Sequence, residues 1–124
     1  MNRTLLLVGI GGFLGSISRY GLALWMTRFF PSSFPSGTFT VNIFGCFLIG
    51  LFYGLSERYD WFTPELRIFL ATGFCGGFTT FSSFAYENIS LLRLSQYFTF
   101  AFYTISSVAL GLVGVIAGIF ITKI

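Results

Sequence analysis

The chain has 124 residues, 55% of them hydrophobic, 21% aromatic and 9% charged, which excludes the polar surface of a soluble globular domain and makes a lipid bilayer its natural solvent. Seven basic residues against four acidic ones leave a net charge of +3, but the basic residues are scattered singly, so no nucleic-acid patch assembles from them. There is no His, and Cys46 and Cys75 lie in apolar runs apart from carboxylates, so the usual side chains of metal and acid/base catalysis are missing and an enzyme is not expected.

A bilayer core about 30 Å thick takes about 20 apolar residues in helix, so the intervals between charges set the organisation. The first predicted span covers residues 5–29 and holds a single charge, Arg19. It lacks the small-x-small cleavage signature of a signal peptide and is expected to remain in the protein. A proline-rich breaker, from Pro31 through Pro35 to Gly37, separates it from a second span over residues 37–55. Asn42 is the only amide there and shares a helical face with Thr38, Gly45, Ile49 and Tyr53. Residues 56–65 gather Glu57, Arg58, Asp60 and Pro64 as an interfacial loop. A third span covers residues 68–86, and a loop over residues 87–95 carries Glu87, Asn88 and Arg93. The fourth span covers residues 97–122. The whole chain is thus one all-α transmembrane domain of four helices. The expected reduced state of Cys46 and Cys75 follows from their place at membrane depth.

Orientation follows the Lys and Arg bias of the loops. Arg3, Arg58, Arg67 and Lys123 fall on one side, Arg28 and Arg93 on the other, with Arg19 a third if it is counted. So small a bias permits insertion either way up and an antiparallel, dual-topology dimer; a single shared orientation is the alternative. Gly11 and Gly15, Gly50 and Gly54, Gly73 and Gly77, and Gly114 and Gly118 stand at the GxxxG spacing that brings helix backbones together.

The informative segment is Gly73-Phe74-Cys75-Gly76-Gly77-Phe78-Thr79-Thr80-Phe81-Ser82-Ser83-Phe84. Adjacent glycines weaken a helix and the following hydroxyls can rebond freed backbone groups, so a break near Gly76 to Thr80 is expected, exposing carbonyls that suit a cation. A continuous helix packed through its glycines is the competing reading. Phe78, Phe81 and Phe84 form a stripe whose ring edges, if turned inward, favour an anion. Asn42 is a functional candidate by depth alone, or an interhelical hydrogen bond. Tyr103, Ser107, Gly111, Gly114 and Gly118 line up along the fourth span as a narrow path or a packing seam. Arg19 must face water or protein and would concentrate anions at a vestibule, or else snorkel. Carboxylates are confined to the predicted loops, so neither the acidic ring of a cation pore nor the buried acid of a proton-coupled exporter is in evidence. Donors for a small, strongly hydrogen-bonding anion are present: amide, Ser, Thr and Tyr hydroxyls.

Together, Gly11-Gly12-Phe13-Leu14-Gly15-Ser16 with Arg19-Tyr20, then Gly37-Thr38 with Asn42 and Gly45, then the third-span segment, resemble the Fluc (CrcB) family of microbial fluoride channels over nearly the whole chain, in order. The third-span motif is the specific part, and the fourth span matches loosely. The resemblance implies a multi-pass protein of the bacterial inner membrane that exports fluoride passively. It implies an antiparallel homodimer with two pores and a central structural sodium ion. It assigns ring edges of Phe81 and Phe84 to the pore, hydrogen-bond donation to Asn42, and the vestibule to Arg19. It gives the carbonyls of Gly76 and Thr79 to the sodium. Thr80, Ser82 and Ser83 supply hydroxyls, and Tyr103 with Ser107 begins a polar track whose far end departs from some members at Gly111. Two rivals stand beside it. A small multidrug exporter also has four spans, but its first span needs a buried acid where this chain has Arg19. A non-transporting assembly factor would leave Phe81 and Asn42 as packing.

Overall fold

The computed structural model describes residues 2–30 and 33–124, so Pro31 and Ser32 of the expected breaker lie outside the described residues. Among the described residues the regular structure is entirely helical: α1 (Asn2–Met26), α2 (Ser36–Arg58), α3 (Pro64–Arg67), a wide-turn π-helical stretch (Ile68–Cys75), α4 (Gly76–Phe78), α5 (Phe81–Arg93) and α6 (Tyr97–Thr122). Four segments are long and apolar enough to cross a membrane: Asn2–Met26, Ser36–Arg58, Pro64–Arg93 and Tyr97–Thr122.

The third segment starts at a well-marked boundary. Thr63 is extended and its side chain accepts from the Leu66 amide at 3.1 Å, while Pro64 occupies the first turn, where its missing N–H costs nothing. The same segment runs on to Arg93, well past the end of the expected span. Glu87 to Arg93, expected in a loop, are therefore helical, because Asn88 and Leu91 turn inward and are buried.

Glycine decides which helices meet. A side chain on Gly11 would strike the Phe74 amide at 2.9 Å and the Gly73 Cα at 3.0 Å, and one on Gly15 would strike the Phe74 carbonyl, so α1 lies backbone to backbone against the π-helical stretch. Gly77 is pressed in the same way on Gly12. The second pair is α2 with α6: Gly50 faces the Val115 carbonyl, Gly118 the Phe47 carbonyl, and Gly54 the Thr122 side chain. At the end of that pair the Arg58 guanidinium donates to the Thr122 carbonyl, a helix-terminal group with no intrahelical donor. Val41, Cys75 and Tyr103 are the largest fully buried side chains.

Candidate functional site

The helical path lapses at two residues. Thr79 has φ −94° and ψ 159°, Thr80 has φ −151° and ψ 115°, and helix resumes at Phe81. Two extended residues in a helix leave backbone groups without partners on both sides of the gap. The sequence meets most of these from elsewhere in the chain. The Asn42 amide nitrogen donates to the Thr80 carbonyl at 3.1 Å, and the Thr80 amide donates back to the Asn42 oxygen at 2.8 Å. Arg19 Nε donates to the Gly77 carbonyl at 3.0 Å, so its charge is turned to protein. Thr80 Oγ1 accepts from the Ser83 amide at 3.2 Å, which makes Thr80 the N-cap of α5. On the other side, Thr79 Oγ1 donates to the Cys75 carbonyl at 2.9 Å.

Gly76 is left outside these arrangements. The Thr80 amide, which a continuous helix would direct at the Gly76 carbonyl, points at Asn42 instead. Gly76 is exposed, with nothing within 4 Å of where a side chain would begin. The gap thus has two electrical ends: carbonyls where α4 stops, and the first amides of α5, thirteen residues long, where helix restarts. The carbonyl end offers neutral oxygens of the kind that unwound membrane helices give to alkali cations, and the amide end favours an anion.

A cavity of about 360 Å³ opens beside the gap, walled by Asn42, Thr79, Thr80, Phe81, Phe84 and Ser107 among others. Six expected site residues therefore share one wall. The Ser107 hydroxyl is buried and has no protein partner, so a polar atom in the wall is left unpaired. Phe81 is 78% exposed on the single chain and stands 5.8 Å from Phe84, ring centre to ring centre, at an interplanar angle of 44°. Ser82 and Ser83 lie off the cavity wall: the Ser82 hydroxyl is 3.2 Å from Thr80 Oγ1, and Ser83 serves the cap through its amide. Tyr103 is also off the wall, fully buried, with its ring 5.0 Å from that of Phe84.

Behind Tyr103 lies a carboxylate expected in a loop. The Glu87 carboxylate accepts from the Tyr103 hydroxyl at 2.8 Å and from Thr38 Oγ1 at 2.6 Å. Thr38 and Glu87 also border a second hollow of about 320 Å³, together with Thr27 and Phe34. An aromatic and polar sequence therefore runs from this hollow past Glu87, Tyr103 and Phe84 to the cavity at the gap. In the sequence Glu87 follows Phe81 and Phe84 at the same three-residue spacing, and so continues their helical stripe.

The sequence profile described as CrcB-like protein, Camphor Resistance (CrcB), matches residues 6–119. The chain is 49% identical over 119 residues to the fluoride-specific ion channel FluC of Gloeothece citriformis (strain PCC 7424), covering 96% of each chain. It is 50% identical over 119 residues to a protein of the same name from Chlorobium phaeobacteroides (strain DSM 266 / SMG 266 / 2430), covering 96% of this chain and 92% of that one. It is 42% identical over 123 residues to that of Azobacteroides pseudotrichonymphae genomovar. CFP2, covering 99% and 98%.

Proposed function

The chain belongs to the CrcB-like family, and from that membership we propose that it is a fluoride-selective channel that lets the ion leave the cell passively across the bacterial inner membrane. Its relatives are named as ion channels, not enzymes. The observation that carries the reading is the cavity at the gap, where the Phe81 and Phe84 rings, the Asn42 amide and the unpaired Ser107 hydroxyl face one space.

The mechanism is exchange of water for fixed donors. Fluoride gives up part of its hydration to the positive edges of Phe81 and Phe84, to the remaining Asn42 N–H and to the Ser107 hydroxyl. Larger halides fit the same donors poorly in a narrow path. Thr80, Ser82 and Ser83 keep hydroxyls at the amide end of the gap, and Tyr103 carries the polar track toward Glu87.

The functional unit we propose is an antiparallel homodimer with two pores. Support comes from the exposed gap: Gly76 and Phe81 face outward on one chain, and irregular backbone at membrane depth is tolerated only where protein or water covers it. A second copy, inverted, covers it. The carbonyls of Gly76 and Thr79, with those of the second copy, would hold a central sodium ion. Such an ion would supply positive charge at the carbonyl end of the gap.

The test is fluoride efflux from liposomes holding the purified protein, with a counter-ion leak supplied. Release of fluoride but not chloride is expected; equal efflux of both defeats the reading. Cross-links between opposite-facing copies in the same preparation test the assembly, and loss of dimer when sodium is replaced by a bulky organic cation tests the central ion.

A further inference from the structure

Cys46 on α2 and Cys75 at the end of the π-helical stretch are both free thiols, and both wall the cavity at the gap. They come from elements held close together there. A side chain on Gly45 would run into Thr79 and would lie 3.3 Å from the Phe78 ring, so the residue next to Cys46 packs on the turn that follows Cys75. The Cys75 carbonyl is held by the Thr79 hydroxyl, and Cys75 is 1% exposed. We propose that Cys46 and Cys75 together form a two-thiolate site for a mercuric ion, and that its occupation closes the path past Phe81 and Phe84.

Coordination number and charge choose the ion. Among the described residues there is no group of three or more His, Cys, Asp or Glu that could hold a metal, so zinc finds too few ligands for its tetrahedral shell. A soft ion content with two sulfurs in line does not need more. The exchange is balanced: two thiols and one mercuric ion give one bis-thiolate complex and two protons, released to water. That complex is neutral. Silver or cuprous ion between the same two thiolates would leave a net negative charge inside an apolar cavity, at a large desolvation cost. Mercuric ion is thus the soft cation that this wall accepts without a buried charge.

The occlusion half of the proposal rests on the fluoride reading, while the binding half does not. The purified full-length protein is titrated with mercuric chloride, washed with a monothiol competitor, and weighed by native mass spectrometry, with mercury–thiolate absorption in the ultraviolet followed alongside. One competitor-resistant mercury per chain is expected, and none in Cys46→Ala or Cys75→Ala. Two ions per wild-type chain, or an ion retained as firmly in either variant, overturns the site. Should the alanine variants fail to assemble, methylmercury on the wild type decides instead: as a one-bond reagent it should be stripped by the same wash, and its retention overturns bridging. In liposomes, mercuric chloride should reduce fluoride efflux to the leak of empty vesicles, with dithiothreitol restoring it. Continued efflux with mercury bound overturns the occlusion. Efflux that is absent before any mercury is added defeats the fluoride reading, and the mass measurement still decides the thiol pair.

Discussion

The Asn42 side chain and the Thr80 backbone hydrogen-bond in both directions, amide nitrogen to carbonyl at 3.1 Å and backbone amide to side-chain oxygen at 2.8 Å. Asn42 thus replaces the helical bond that the Thr80 amide has lost, and adds a donor to a carbonyl that already caps α5. Asn42→Ala strands the Thr80 amide, at about 1–3 kcal/mol, and should lower the thermal midpoint of the purified protein and abolish fluoride efflux. Asn42→Asp keeps the acceptor for the Thr80 amide while removing the donor and adding a negative charge at the cavity. It should melt between wild type and alanine yet conduct no better than alanine; an aspartate variant with wild-type efflux contradicts the anion path.

Phe81 separates conduction from stability. Its ring is mostly exposed on the single chain, so Phe81→Leu removes little intrachain packing. A ring-edge contact is worth about 0.5–1.5 kcal/mol, which predicts a drop in efflux of about twofold to tenfold in a variant that still assembles. Full efflux in a leucine variant that still assembles would make Phe81 a packing residue.

Glu87 draws two hydroxyl donors, Thr38 and Tyr103, onto one carboxylate. Hydrogen bonds to a charged group are worth about 1.5–3 kcal/mol. Glu87→Gln keeps the shape but offers one acceptor and one misplaced donor, so it should destabilise by about half that range and reorient Tyr103. Thermal melts of Glu87→Gln beside Tyr103→Phe check the coupling: the double variant should melt above the sum of the two single losses.

Glycines that look alike in sequence should behave oppositely. Gly15→Ala drives a methyl into the Phe74 carbonyl, and overpacking of this kind costs about 1–3 kcal/mol. Gly21 has nothing within 4 Å of its would-be side chain, and Gly21→Ala should gain up to about 1 kcal/mol of helix propensity. Melting midpoints that fall for the first and rise or hold for the second are expected.

The spans were legible because charge and proline bound them: α6 covers residues 97–122, as expected, and α2 begins one residue before its expected range and ends three residues beyond it. The third segment was harder, since its end is set by burial of Asn88 and Leu91 and not by the charge of Glu87. Within the expected break from Gly76 to Thr80, Gly76 and Gly77 are helical and the departure falls on Thr79 and Thr80. The glycines serve packing against α1 and openness at Gly76. What holds the gap comes from Asn42 and Arg19, far away in sequence, and residue order along one helix carries no record of such partners.

The wide-turn stretch from Ile68 to Cys75 acts on direction as much as on length. Each residue in an ordinary helix turns the chain by about 100°, and a loosened turn absorbs an extra residue without lengthening the rod much. Everything beyond it inherits that rotation. Shortening the stretch by one residue would hardly change how far the segment reaches across the bilayer, but it would swing Thr80 away from Asn42 and aim the Phe81 ring at a different neighbour. Eight residues there work as an angular setting, dialled into the chain before the chemistry begins.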